Sequence, residues 1–244
     1  LLRENYNRGE TMDIQLIEDL TLSATEVDAN GMWKPSAILL HMQTEADIHC
    51  TALGFPRERL VRAGMCCILY RVAYQLHEKA AMGDRIRTTT WPGKLIGPIF
   101  PRYFSWEKEG RCIGEAVAAW VLIDIEKRRI LRPGMLPAPL PASSRKGCLA
   151  LPGALQIERC APRETRRVRF TDLDINGHMN NARYADWISD LYDGRPIKSL
   201  QVNYLSEALQ GEDIALERPT PDLVAGIRRG DDKVIFEARA LMES

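Results

Sequence analysis

The segment Phe170-Thr171-Asp172-Leu173-Asp174-Ile175-Asn176-Gly177-His178-Met179-Asn180-Asn181-Ala182-Arg183-Tyr184-Ala185-Asp186-Trp187 places a carboxylate, an amide and an imidazole two residues apart and then runs into a helix. Asn176-Gly177 is a turn dipeptide. Asn180 and Asn181 suit a helix start better than a helix interior. Beyond them, Tyr184, Trp187, Ile188 and Leu191 recur at the spacing of one apolar helix face. Asp174, Asn176 and His178 therefore lie on a loop just ahead of a helix, whose free N–H groups favour developing negative charge. Acyl chemistry needs such a place, because its oxyanion must be held. Asp and Asn before a helix are more often only caps and turn formers, so the rest of the chain has to agree.

Outward from this segment the chain reads as two similar halves. From Gln15 to Glu26 apolar and polar residues alternate as in a strand, and a helix follows from about Ser36 to Leu53, with Pro35 at its first turn and Gly54 and Pro56 at its end. Leu39, Met42, Ala46, Cys50 and Leu53 form its apolar stripe. Four strands come next, Met65 to His77, Arg85 to Trp91, Ile99 to Lys108 and Arg111 to Ile125, with turn signals at Gly83-Asp84, Pro92-Gly93 and Glu109-Gly110. Between Leu131 and Pro162 six prolines and three glycines block both helix and ladder, which reads as a linker extended along the surface. After it come a short strand from Arg166 to Phe170, the loop and its helix to about Tyr192, and strands Ile197 to Glu207, Asp213 to Glu217, Asp222 to Arg228 and Lys233 to Met242.

The repeat shows in residues as well as in order. Asp28-Ala29-Asn30-Gly31-Met32 parallels Asp174-Ile175-Asn176-Gly177-His178, and Val72-Ala73-Tyr74 with Gly83-Asp84 parallels Val202-Asn203-Tyr204 with Gly211-Glu212. The first copy has Met32 where the second has His178, so chemistry is expected in the second copy only. The expected fold is α+β, two tandem domains each with a long helix against an antiparallel sheet: residues 12–130, a linker at 131–163, and a catalytic domain at 164–244.

Composition narrows the function classes. Lys plus Arg and Asp plus Glu both number 33, and this zero balance argues against a general nucleic-acid binder. No apolar run approaches the roughly 20 residues of a membrane span. Residues 1–11 read as a polar leader without a signal-peptide core. The six cysteines form no C-x-x-C pair, which favours a reduced, cytoplasmic protein without structural zinc or a disulfide framework.

The string D-x-N-G-H-x-N-N-x-x-Y-x-x-W, with the duplication, resembles the hotdog-fold thioesterases and most closely the acyl-acyl-carrier-protein (acyl-ACP) thioesterases of plants and bacteria. The resemblance covers about Ile14 to Met242 and implies two tandem hotdog domains with the active site in the second and an acyl tunnel to which the first contributes. Asp174, Asn176 and His178 match the family's catalytic Asp, Asn and His. Its Tyr-x-x-Glu-Cys pattern falls on Tyr204-Leu205-Ser206-Glu207-Ala208, so Glu207 matches the glutamate, while Ala208 stands where plant members carry cysteine. That departure removes a cysteine nucleophile and favours water activated by Glu207 or Asp174. The implied reaction is hydrolysis of acyl-ACP to a fatty acid and the carrier thiol, without metal or organic cofactor, the partner being acyl carrier protein. Acyl-CoA hydrolysis and non-catalytic acyl binding are the alternatives. A tandem chain supplies its domain pairing internally, which allows a monomer or a homodimer.

Other features carry plainer expectations. His41, Glu45 and His49 recur at metal-face spacing, but His41 and Glu45 lie opposite the apolar stripe and read as a solvated face. His77 reads as structural, Asp172 as a turn residue and Asp186 as a solvated helix position. Lys127-Arg128-Arg129, Arg132 and Arg166-Arg167-Arg169 read as soluble surface, with carrier docking as the functional alternative.

Overall fold

The computed structural model describes residues 14–243; the reading of residues 1–11 as a leader lies outside them. The first half holds β1 (Leu16–Thr21), α1 (Pro35–Ala52), α2 (Arg57–Arg62), β2 (Met65–Leu76), β3 (Arg85–Pro92), β4 (Ile99–Lys108), β5 (Arg111–Asp124) and the two-residue β6 (Arg129–Ile130). The second holds β7 (Pro162–Arg167), α3 (Arg183–Asp190), β8 (Ile197–Tyr204), β9 (Asp213–Glu217), β10 (Leu223–Arg228) and β11 (Val234–Met242). Along the sheet the order is β1-β3-β4-β5-β2-β8-β11-β10-β9-β7, with β6 on β5. Read from its two edges inward, this order is the same in both halves, so they are related by a pseudo-twofold axis at the β2–β8 seam. That seam is antiparallel, with Val72 opposite Val202.

Alternation along the strands turns one face toward the helices. Val72, Tyr74, Phe104, Trp106, Ala116 and Ala118 join Val202, Ile214, Leu216, Val224, Phe236 and Ala238 in one continuous core with Ile38, Met42, Tyr184 and Ile188 of the helices. The helices α1 and α3 lie side by side on this face. Gly226 on β10 lies opposite Phe236 on β11, and a Cβ there would come within 2.1 Å of that ring. Phe236 is fully buried and meets Tyr184 edge-on at 5.0 Å. Gly226→Ala is therefore expected to cost about 1–3 kcal/mol by overpacking, seen as a lower urea midpoint at unchanged slope; wild-type stability would show that the ring moves freely.

Residues 131–161 form one 3-10 turn at Pro133–Met135 and otherwise neither helix nor strand, as their prolines dictate, but they are not a loose tether. Leu131, Leu136 and Leu140 pack on Met65, Phe100 and Leu122. Cys148, Leu149 and Leu151 then cover Trp91, Tyr103 and Val117 on the face away from the helices. The carbonyl of Pro152 accepts from Arg71, and that of Gly153 from Gln201 and Asn203, so the segment clasps the seam. Ile157 ends on Ala215, Ala225 and Ile227.

The structure corrects several boundaries. The strand expected from Arg166 to Phe170 runs instead from Pro162 to Arg167, and Phe170–Asp172 is a 3-10 turn. Pro162 is tolerated because β7 is an edge strand. The short helix α2 escaped the sequence reading altogether, since six residues carry too little periodicity. Glu45 is not solvated: it and His49 are 3% and 5% exposed. Both lie beneath α1, where Thr88, Thr90 and Arg102 of β3 and β4 are also buried. His41 instead pairs with Glu26, so the three side chains do not converge.

Candidate active site

Asp174 shapes the loop that bears its name in the motif. Its Oδ1 accepts the backbone N–H of Asn176 at 2.8 Å and of His178 at 3.3 Å, and its Oδ2 accepts the Asn176 amide at 3.0 Å. Asp174 N–H donates to the His178 carbonyl at 2.7 Å and Gly177 N–H to the Asp174 carbonyl at 3.0 Å. Gly177 takes a φ of 76°, a left-handed value that glycine adopts at little cost. The first half builds the same turn in its backbone bonds. Asp28 Oδ1 accepts Asn30 N–H at 2.8 Å and Met32 N–H at 3.0 Å, and the two backbone bonds recur at 2.8 and 2.9 Å. The Asp thus serves the turn in both copies, including the one without a histidine.

Hydrogen bonding also fixes which residue faces the turn. A bridge joins His178 to Leu209 as one joins Met32 to Ala81, and Met179 N–H bonds Ala208 as Trp33 N–H bonds Ala80. Lys79 is therefore the counterpart of Glu207, and Leu76 of Tyr204. The sequence pairing of Val72-Ala73-Tyr74 with Val202-Asn203-Tyr204 is two residues out of register, because matching by residue identity cannot see the ladder. Gly83-Asp84 and Gly211-Glu212 do correspond: each Gly N–H bonds back to the preceding segment, at Leu22 and at Val168.

The four expected site residues come together. Glu207 Oε2 lies 3.4 Å from His178 Nε2 and is also held by Arg128, leaving Oε1 with no protein partner among the described residues. Asn176 Oδ1 accepts from Arg57 at the start of α2. With a guanidinium on its oxygen and a carboxylate on its nitrogen, the amide has one orientation and one N–H still unused. Cys66 on β2 feels the charges of Arg57, Arg128 and Glu207, while burial pushes its thiol up. Beneath the site Tyr184 meets the backbone of Ala208, and Tyr204 donates to the Asn181 carbonyl at 2.9 Å. The aromatic residues of the motif thus hold the two segments that carry Glu207 and His178.

Two expectations change. The N–H groups of Gly177 and His178 are spent inside the turn, and α3 begins only at Arg183. The spacer is closed by Asn180, whose Oδ1 accepts Ala182 N–H at 2.9 Å. Among the described residues the Gly177 and His178 N–H groups are therefore not free to hold an oxyanion, whereas the Asn176 amide keeps one N–H. Arg128 is not simply surface: the turn after β5, with Arg128 at a φ of 54°, carries it across to Glu207. Arg57 and Arg128 were invisible to sequence reasoning, being 119 and 79 residues from their partners. Asp172 is a turn residue, accepting Arg169 N–H at 2.7 Å, and Asp186 pairs with Arg183 on the helix surface at 3.2 Å.

The two halves also match two family models, the acyl-ACP thioesterase N-terminal domain over residues 17–133 and the C-terminal domain over residues 158–230. The chain belongs to the acyl-ACP thioesterase family. Among curated relatives, the chloroplastic acyl-[acyl-carrier-protein] hydrolase FATB1 of Cuphea viscosissima is 23% identical over 82% of the chain. The chloroplastic palmitoyl-acyl carrier protein thioesterase of Gossypium hirsutum is 20% identical over 83%. The chain spans about half the length of these two relatives, 52% and 54%. An acyl-ACP thioesterase structure from Bacteroides thetaiotaomicron superposes with a TM-score of 0.86 at 21% identity, covering 94% of this chain and 98% of that one. The 12:0-ACP thioesterase from Umbellularia californica follows at 0.81 and 16%, covering 96% and 99%. At these identities the structures establish the shared tandem hotdog fold. Among the described residues no helix is long and apolar enough to cross a membrane.

Proposed function

We propose that this thioesterase hydrolyses acyl-ACP, giving a free fatty acid and the carrier thiol, with residues 164–244 supplying the chemistry and residues 12–130 lining the acyl tunnel. The observation that carries the reading is the convergence of His178 Nε2 on Glu207 Oε2 at 3.4 Å beside an amide with an unused donor. Glu207 Oε1 takes a proton from water as the water oxygen attacks the thioester carbon. The oxygen left negative is held by the free N–H of Asn176, sharpened as a donor by Arg57 on its oxygen. Collapse breaks the carbon–sulfur bond, and the departing thiolate takes the proton back by way of His178. Asp174 positions Asn176 and His178 through the turn. Ala208 leaves no thiol beside Glu207 on that strand end.

The test is thiol release from acyl-ACP and acyl-CoA of several chain lengths, by wild type and His178→Ala. Release from acyl-ACP, lost in the variant, is expected; release from acyl-CoA alone would replace the carrier, and binding without release would leave a non-catalytic acyl binder. Carrier docking is proposed on Arg129 and Arg132. Charge reversal there is expected to raise KM for acyl-ACP and leave kcat, whereas Arg128 must be left alone because it holds Glu207.

A further inference from the structure

The pseudo-twofold axis that makes the active site also makes its counterpart in the other half, and that counterpart is a cavity of about 310 Å³. It opens beside the Asp28 turn, between the start of α1 and the chain leaving α3. Asn30 Nδ2 donates to the Gly194 carbonyl at 3.0 Å, whereas Asn176 reaches the other half by accepting from Arg57 through its Oδ1. The chemistry is gone: Met32 replaces the histidine and Lys79 the glutamate, and Lys79 is paired with Glu243 at 2.8 Å. What remains is a pocket with an apolar base, Met32, Trp33, Pro35, Leu76 and Ile197, and a charged rim.

The rim is electropositive once its pairs are removed. Asp28 accepts two backbone N–H groups and keeps its charge. Glu78 pairs with Arg111, Asp186 with Arg183 and Asp190 with Arg166. Lys34, Arg195 and Lys198 line the same cavity and have no acidic partner among the described residues. Set against Asp28, the one lining carboxylate without a cationic partner among the described residues, the three cations leave the rim net positive, and over an apolar floor this suits an amphiphile with an anionic head. The volume is at the small end of ligand pockets, which run from about 300 Å³. We propose that this degenerate half-site binds a medium-chain carboxylate, its head on Lys34, Arg195 and Lys198 and its tail on Trp33 and Ile197. Naming the ligand as a fatty acid rests on the proposed reaction, whose product class it is; the placing of the site does not.

Photoreactive decanoate carrying a diazirine on its tail tests this, followed by peptide mapping. Labelling is expected within residues 29–35, 76–80 and 194–198, and is expected to fall at least tenfold in the triple variant Lys34→Glu, Arg195→Glu, Lys198→Glu. All three side chains are at least partly exposed, and a glutamate at position 34 sits favourably at the N-terminus of α1, so the variant folds. Labelling confined to residues 170–182 and 204–209, unchanged labelling in the variant, or equal labelling by the uncharged decanol analogue would each overturn the proposal. Labelling needs no thioester, so inactivity toward acyl-ACP would fail the reaction and leave this result standing.

Discussion

Glu207→Gln is expected to lower kcat toward acyl-ACP by about 100- to 10,000-fold, the usual contribution of a positioned general base, with no loss of folding stability. The amide keeps the size of the side chain and can still accept from Arg128, but it cannot take a proton from water. Asp174 answers differently. Its carboxylate is occupied by two backbone N–H groups and one side-chain amide, and Asp28 does the same backbone work in the half without chemistry. Asp174→Asn keeps an oxygen for the two N–H groups, so it is expected to retain at least tenfold more activity than Glu207→Gln. Asp28→Ala supplies the internal control. It removes the same turn acceptor and should cost about 0.5–2 kcal/mol of stability, leaving kcat alone. Steady-state kinetics with urea unfolding on the three variants decides the matter. If Asp174→Asn proves the more damaging, Asp174 is the base and Glu207 the orienting group.

That division of labour marks how far the sequence could be read. The repeat, the helix α1 and most strand bounds were legible, because apolar period and turn dipeptides are local signals. The family resemblance pointed to Glu207, Asp174, Asn176 and His178, and their contacts in the fold are what the structure adds. Their roles were not legible, since a carboxylate that caps a turn and one that faces solvent are written with the same letters. Arg57 and Arg128 were not legible either: each reaches the site across the fold, from a helix too short to predict and a turn that looks like ordinary charged surface. The Pro-rich stretch was legible as a break in helix and ladder, but not its 3-10 turn at Pro133–Met135 or its leucines, which pack by tertiary contact that no local pattern reveals.

Glu45 and His49 illustrate the same limit and lead to the second large effect. Helical spacing put Glu45 on the polar face, yet α1 lies over β3 and β4 and buries it. Burial, with Glu18 adding to it against the pull of Thr88 and Arg102, raises the Glu45 carboxyl from 4.5 to about 7. Burial and then Arg102 lower His49 from 6.5 to about 4, and its Nδ1 receives the Arg102 guanidinium at 2.9 Å. Between pH 4.5 and 7 the folded chain holds more of the Glu45 proton than the unfolded chain, so stability falls as pH rises through that window. Between pH 4 and 6.5 it holds less of the His49 proton, so stability rises. Each displacement is worth about 3 kcal/mol, and where the windows overlap the two slopes cancel. Glu45→Gln removes one slope and is expected to gain about 3 kcal/mol from pH 4 to 6.5 relative to the cancelled background. His49→Asn, which keeps an acceptor for Arg102, removes the other and is expected to lose a similar amount from pH 4.5 to 7. Urea midpoints measured across pH 4–8 for wild type and both variants test this. The remaining titrating groups are common to all three proteins and drop out of the differences. Parallel curves for the two variants would mean that neither side chain changes its proton affinity on folding, and the buried cluster beneath α1 would then have to be open to water.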